Sequence, residues 1–204
     1  MARPRLISDE QILATMRSCV FEHGPQVSLD VVAGRLNVTP PALLKRFGSR
    51  RELMVQALRP PENPAVLARL ADGPDERALS EQLAEVLGGW LDFIGEVMPC
   101  VVALRESGIP HDEVFDVRRD SPVRFIRALH AWLEKAAAKG LVEPHGLETA
   151  ATAMLGAVQT RVFTAHVMKQ VLTARARREF LNDLTQFFTR ALTPSGRRGR
   201  SANA

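Results

Sequence analysis

Apolar positions along the chain recur at helical spacing, and no stretch alternates between apolar and polar residues as a strand does. Tyrosine is absent, while Ala, Leu, Arg and Glu are abundant, which also favours helices over strands. Glycine and proline separate the apolar segments. The pattern predicts an all-α fold of about nine or ten helices. The predicted helices cover 9–23, 29–36, 40–47, 50–58, 64–72, 76–98, 100–107, 121–139, 146–172 and 175–192.

One proline-rich segment, RPPENP (Arg59–Pro64), interrupts the helical pattern and predicts a boundary between two regions. We expect an N-terminal domain over 1–58 and a larger helical domain over 59–193. The remaining residues, 194–204, include three arginines and lack apolar side chains that could anchor them. They are predicted to form a disordered basic tail.

The distribution of charge distinguishes the two regions. Formal net charge is +4, and residues 1–60 contain nine Lys/Arg against five Asp/Glu. With the basic tail set aside, the rest of the chain is mildly acidic. A basic first quarter on an acidic body favours binding to a polyanion such as DNA. A solvated basic face is the alternative interpretation.

The sequence lacks the residue spacings that are typical of catalytic and metal-binding motifs. The two cysteines lie far apart, the five histidines show no metal-ligand spacing, and no glycine-rich phosphate loop or GxSxG motif occurs. We therefore predict no catalytic residue, no metal and no cofactor. The first ten residues lack the apolar stretch typical of a signal peptide, and the apolar segment from Trp90 to Leu104 is short and interrupted by charge. A soluble, cytoplasmic protein without a membrane partner is expected.

The segment Ser28–Phe47, SLDVVAGRLNVTPPALLKRF, joins two short helices through only three residues. Asn37 stands where the first helix must end with a positive φ, a conformation that Asn tolerates better than most residues. Thr39 is placed to cap the second helix, and Pro40 suits its first turn. Leu43 and Phe47 are predicted to face inward. This arrangement predicts a helix-turn-helix, whose second helix enters the major groove of DNA.

A plain αα-hairpin is the alternative, but the nearby basic residues favour DNA binding. Backbone N–H groups and basic side chains at these helix N-termini suit phosphate oxygens, and the exposed flank of the second helix suits base edges. Arg50 is expected to contact phosphate, whereas Lys45 and Arg46 are the candidates for base edges. The predicted DNA-contacting residues are Ser28, Thr39, Pro40, Ala42, Leu44, Lys45, Arg46 and Arg50.

Several segments of the first 58 residues follow one family pattern. They are QIL (Gln11–Leu13), FEHG (Phe21–Gly24), Ser28, Val32-Ala33, NVTPPALLKRF (Asn37–Phe47) and SRRELMVQAL (Ser49–Leu58). These segments resemble the DNA-binding domain of the tetracycline-repressor (TetR) family of transcriptional regulators. The rest of the chain resembles that family only in its number of helices and in a C-terminal helix pair.

Three residues depart from the family pattern. Asn37 replaces a common glycine, which its tolerance of positive φ makes harmless. Leu44 replaces a common tyrosine, whose hydroxyl often reaches a phosphate; leucine lacks that hydroxyl but suits a thymine methyl. Asp30 stands where a basic or hydroxyl residue is common. The changes at Leu44 and Asp30 predict either modest DNA affinity or a shift of the DNA contacts onto Arg46 and Arg50.

The resemblance implies ligand sensing and dimerisation by the second region. Small residues and apolar stripes on helices 146–172 and 175–192 fit a four-helix bundle between two subunits, although they also fit the chain's own core. Residues proposed for the dimer interface are Met154, Val158, Val162, Phe180, Leu184 and Phe187. Residues proposed to line an effector pocket, or else ordinary core, are Trp90, Phe93, Met98, Val101, Arg105, Phe125, Leu129 and Gln159.

The sequence thus predicts a ligand-responsive regulator rather than an enzyme. We expect a homodimeric repressor that binds a palindromic operator in double-stranded DNA and is released by a small hydrophobic effector. The alternative is a helical adaptor protein whose helix-turn-helix has lost its DNA affinity.

Overall fold

A computed structural model describes residues 7–60, 64–110 and 122–194. Over these residues the chain forms nine helices and no strand, so the all-α prediction is confirmed. The helices are α1 (Asp9–His23), α2 (Leu29–Leu36), α3 (Pro40–Phe47), α4 (Arg50–Leu58), α5 (Ala65–Asp72), α6 (Leu79–Glu106), α7 (Pro122–Ala138), α8 (Leu147–Val167) and α9 (Ala174–Leu192). Apart from Pro194, the predicted basic tail lies outside the described residues.

The chain divides into two compact units. Among the described residues, the first unit comprises 7–60 together with 99–110, and the second comprises 64–98 together with 122–194. The long helix α6 contributes residues to both units.

Serine side chains cap the N-termini of three helices in the first unit. Ser8 and Gln11 form a reciprocal capping box, in which Ser8 Oγ accepts from Gln11 N at 3.2 Å and Gln11 Oε1 accepts from Ser8 N at 3.0 Å. Ser28 and Ser49 cap α2 and α4 through a single hydrogen bond each, in which the side-chain oxygen accepts from Val31 N and from Glu52 N. The four helices bury a common apolar core that includes Ile12, Met16, Val32, Leu43, Leu53 and Leu58.

Gly48 ends α3 with φ +81°, in the left-handed region that favours glycine. An added Cβ would also overlap the Glu52 carboxylate. We expect Gly48→Ala to lower the free energy of unfolding by about 1–2 kcal/mol. Gly34→Ala is the matched control, because Gly34 lies inside α2 with open space around it, and this change should stabilise by about 0.5–1 kcal/mol. Urea unfolding followed by helical circular dichroism compares the two; equal shifts of the same sign would contradict the strain at Gly48.

Aromatic side chains organise the core of the second unit. Trp90 on α6 packs against Phe93 and Phe125, with ring centroids 5.6 and 4.4 Å away. Its indole N–H donates to the carbonyl of Leu155 on α8 at 3.1 Å, so this buried polar group is satisfied. Helices α5, α7, α8 and α9 contribute further apolar side chains to the same core.

Two predicted helix boundaries were wrong. A break was expected at Pro99, yet α6 runs through it for 28 residues. Proline removes one backbone hydrogen bond, but buried side chains on both sides, Ile94 and Cys100, hold the helix in register. Helix α8 was expected to reach residue 172 but ends at Val167, where Lys169 adopts φ +51° and Gln170 N donates to Ala165 O at 2.8 Å.

Candidate nucleic-acid interface

The turn between α2 and α3 has the geometry that its sequence predicts. Asn37 adopts φ 53° and ψ 45°, and the N–H of Val38 donates to Ala33 O at 3.0 Å. Val38 is half-buried between the two helices. Pro40 begins α3 two residues later, where its missing N–H removes no helical hydrogen bond. Thr39 occupies the N-cap position but its side chain makes no capping bond, so the predicted role of its oxygen was wrong.

Helix α3 has a buried face and an exposed face. Leu43 and Phe47 are 1% and 8% exposed and fix the helix against the first unit, as predicted. The exposed face comprises Pro41, Ala42, Leu44, Lys45 and Arg46. Since Leu43 and Phe47 hold one face of α3 against the first unit, the other face is exposed to a partner.

The predicted residue Pro40 is half-buried, and Pro41 occupies the outer face instead. Sequence reasoning missed Pro41, although its spacing from Lys45 places both on one side of a helix. Ala42 and Leu44 flank this pair on the exposed surface.

Two arginines predicted to contact DNA are bound to their own chain. Arg46 Nε forms an ion pair with Asp9 Oδ1 at 2.6 Å, and its Nη1 donates to Ile7 O at 2.5 Å. Arg50 is half-buried; its Nε donates to Val27 O at 2.9 Å and its Nη2 donates to Pro25 O. Arg50 was expected to be free for phosphate, but in the structure its guanidinium fixes the turn between α1 and α2.

Lys45 differs from both arginines. It is exposed, and no hydrogen bond or ion pair links it to any other described residue. The hydroxyl of Thr39 is also exposed at the start of α3. Ser28 is exposed as well, and its oxygen accepts from Val31 N, which leaves its hydroxyl hydrogen to donate. Thr39, Lys45 and Ser28 therefore offer donors of the kind that contact phosphate oxygens.

An ion pair between Glu22 and Arg35 joins α1 to α2. Arg35 donates to both carboxylate oxygens of Glu22, at 2.9 and 2.5 Å. The Arg35 hydrogen bonds, helped by one from Ser18, lower the pKa of Glu22 to about 2. Arg17 ties α1 to the end of α4 by donating to Ala57 O at 2.6 Å. Four arginines of this unit, Arg17, Arg35, Arg46 and Arg50, thus hold its helices and turns together.

The residues proposed for an effector pocket belong largely to a packed core. Trp90, Phe125 and Leu129 are buried, while Phe93, Met98 and Gln159 are half-buried in the second unit. Val101 and Arg105 belong to the first unit, so the predicted set is divided between the two units. Two open surface grooves of the second unit, one along α9 around Asp183 and Arg190 and one around His130 and Glu148, contain none of the eight.

One polar group in the second unit was missed by sequence reasoning. The indole N–H of Trp132 on α7 is fully buried and has no hydrogen-bond partner within the described residues. Trp132 packs in the same core as Trp90 and Phe125. A buried donor without an acceptor is uncommon in native proteins and is often matched by a water or a ligand.

The six residues proposed for a dimer interface differ sharply in exposure. Met154 and Val158 are 0% exposed and face the chain's own core, so their assignment to a dimer interface was wrong. Val162, Phe180 and Leu184 are half-buried, and Phe187 is 66% exposed. Phe163 and Val167 on α8, which the sequence prediction omitted, are also more than half exposed.

No group of three or more His, Cys, Asp or Glu side chains that could hold a metal ion occurs among the described residues. By length and composition one described helix, α6, could cross a membrane. This helix has 28 residues, whereas the apolar segment that the sequence indicated runs only from Trp90 to Leu104. Its side chains Leu83, Leu87 and Trp90 are buried in the core of the second unit, as in the central helix of a globular protein.

Comparison with known proteins gives one family match and many similar folds. Residues 114–192 match the family described as AefR-like transcriptional repressor, C-terminal domain. No curated protein matches the chain. A TetR-like transcriptional regulator from Rhodococcus sp. RHA1 is 21% identical, with a TM-score of 0.57, over 91% of this chain and 97% of that one.

Two further solved structures have the same fold. A TetR transcriptional regulator from Streptomyces coelicolor is 22% identical, with a TM-score of 0.55, over 92% of this chain and 99% of that one. A TetR transcription regulator from Haloarcula marismortui is 18% identical, with a TM-score of 0.63, over 91% and 98%. The fold of the described residues and the match of residues 114–192 both show similarity to transcriptional regulators.

Proposed function

We propose that this chain, a TetR-like transcriptional regulator by family and fold, is a homodimeric repressor that binds an operator in double-stranded DNA and leaves it when a small hydrophobic effector binds. The regulator class rests on the family match and the fold. The operator, the dimer, the effector, the repressor role and a cytoplasmic location are our proposals.

The observation that supports DNA binding best is the two-faced helix α3. Leu43 and Phe47 fix one side, and Pro41, Leu44 and Lys45 project from the other. A short helix held in this way after a three-residue turn matches the recognition helix of a helix-turn-helix, which inserts into the major groove. Exposed donors at Thr39 and Lys45 suit the flanking phosphates.

A dimer is supported by apolar side chains left exposed on α8 and α9. Phe163, Val167 and Phe187 are each more than half exposed in the single chain. Helices α8 and α9 contact each other, and an exposed apolar patch on neighbouring helices commonly marks a protein interface. Two-fold pairing would present two α3 helices about 34–36 Å apart, so the operator is expected to be a palindrome with half-sites one helical turn apart.

Effector binding is supported by the apolar core of the second unit. Trp90, Phe93 and Phe125 form an aromatic cluster, and the partnerless N–H of Trp132 lies in the same core. A small apolar molecule with one hydrogen-bond acceptor would satisfy that N–H. Two conformations of the protein are then needed, one that docks on the operator and one that does not. The ligand would release DNA only if it bound the second conformation more tightly than the first.

The DNA proposal is tested by replacing Lys45 with alanine. Lys45 is exposed and unpaired among the described residues, so its loss should leave folding intact while removing one cationic contact. We expect weaker binding to selected and random duplexes and a salt dependence shallower by roughly one unit of slope. Fluorescence anisotropy at several salt concentrations measures both.

Lys135→Ala is the matched control, since Lys135 is an exposed lysine on α7 in the second unit. It should bind as the unmodified protein does. If Lys45→Ala also binds as the unmodified protein does, α3 is not the DNA-contacting helix. If the unmodified protein binds no duplex, the adaptor interpretation, supported by the occupied Arg46 and Arg50, replaces the repressor.

A further inference from the structure

Direct recognition of guanine commonly uses an arginine that donates two hydrogen bonds to its O6 and N7 atoms. On α3 the only arginine is Arg46, and its guanidinium is bound to Asp9 and to the carbonyl of Ile7. These contacts join α3 to the start of α1. Guanine recognition by Arg46 would require that both contacts be broken.

The side chains that α3 does expose are largely apolar. Pro41, Ala42 and Leu44 have no side-chain hydrogen-bonding group, and Leu44 is 39% exposed. They border Lys45, which has no partner among the described residues. In the major groove the one apolar marker on a base is the C5 methyl group of thymine. An apolar face beside a free cation therefore matches a thymine-bearing, negatively charged groove.

We propose that α3 selects thymine-rich half-sites by packing Pro41, Ala42 and Leu44 against thymine methyl groups, while Arg46 positions the helix instead of reading a base. Lys45 supplies the charge contact. This inference rests on the proposed DNA binding and names the sequence class that the helix prefers.

The experiment separates methyl recognition from guanine recognition. The full-length protein selects duplexes from a random 24-bp library, and the enriched duplexes are then remade in two altered forms. In one, deoxyuridine replaces every thymidine, which removes only the methyl groups. In the other, 7-deazaguanine replaces guanine, which removes the N7 acceptor.

We expect the deoxyuridine duplex to bind roughly fourfold more weakly for each contacted methyl group, the value for removing one buried methylene-sized group. The 7-deazaguanine duplex should bind nearly as the parent does. Equal affinity for the parent and deoxyuridine duplexes, or a larger loss with 7-deazaguanine, would overturn the inference while leaving DNA binding intact. Recovery of no enriched duplex would overturn the proposed DNA binding itself.

Leu44→Ala should weaken binding to the parent duplex and reduce the loss caused by deoxyuridine. The matched control is Val31→Ala, because Val31 on α2 is 38% exposed and equally apolar. The Val31→Ala variant should lose as much affinity on the deoxyuridine duplex as the unmodified protein does. If the two variants respond alike, Leu44 has no specific part in thymine recognition.

The single substitution Arg46→Lys tests whether Arg46 positions α3. A lysine keeps the charge but lacks the planar group that contacts Asp9 and the Ile7 carbonyl together. Affinity should fall equally on the parent and 7-deazaguanine duplexes. A fall confined to the parent duplex would show that Arg46 reads guanine.

Discussion

Replacing Trp90 with alanine is expected to lower the free energy of unfolding by about 3–5 kcal/mol, the usual cost of removing a large aromatic side chain from a core. Trp90 is 1% exposed, packs on Phe93 and Phe125, and donates its N–H to the Leu155 carbonyl. The alanine variant would leave a cavity and lose the hydrogen bond to the Leu155 carbonyl. Urea unfolding followed by circular dichroism measures the loss.

Two controls identify the origin of this effect. Trp90→Phe keeps much of the packing but removes the N–H, so it should cost about 1–3 kcal/mol. Val171→Ala removes an apolar side chain that is 87% exposed and should change stability by less than about 0.5 kcal/mol. If Trp90→Ala were as stable as the unmodified protein, Trp90 would line an open pocket, as the sequence prediction had it.

Local sequence signals predicted the helix-turn-helix well. The cap at Ser28, the left-handed turn at Asn37 and the proline at the start of α3 each depend on a residue and its immediate neighbours. Such features follow from backbone conformation and from hydrogen bonds within one turn of helix. The buried face of α3, with Leu43 and Phe47, follows from spacing alone.

The hydrogen-bond and ion-pair partners of Arg46 and Arg50 could not be predicted from local sequence signals. Arg46 binds Ile7 and Asp9, and Arg50 binds Val27 and Pro25, residues that the fold brings close from distant positions. Sequence reasoning counts these side chains as free positive charge. The structure shows that each is engaged in fixing the helices, which shifts the candidate contacts toward Lys45 and the apolar face.

Hydrophobic periodicity also did not determine whether the apolar stripes on α8 and α9 face the chain's own core or a partner. A helix with apolar residues on more than one side can face its own core, a partner or both. Val158 and Phe187 looked equivalent in the sequence, yet Val158 is 0% exposed and Phe187 is 66% exposed. The two positions therefore test different properties of the protein.

Phe187→Asp is expected to dissociate the proposed dimer while leaving each chain folded. The substitution removes little intramolecular packing, because Phe187 is 66% exposed and its ring meets Phe188 edge to face at 5.2 Å. A carboxylate buried without a partner in an apolar interface is strongly unfavourable. Sedimentation velocity at micromolar concentration should show monomers, with helical circular dichroism preserved and operator affinity lowered at least tenfold, since one half-site would be lost.

Two matched variants make that result specific. Phe21→Asp places the same charge on another exposed phenylalanine, 46% exposed on α1, and should leave the oligomeric state unchanged. Val158→Asp places the charge in the core of the second unit and should unfold it. A Phe187→Asp protein that remains dimeric would move the interface away from α9. A monomeric unmodified protein would remove the dimer from the proposal, because no interface would then exist for the charge to disrupt.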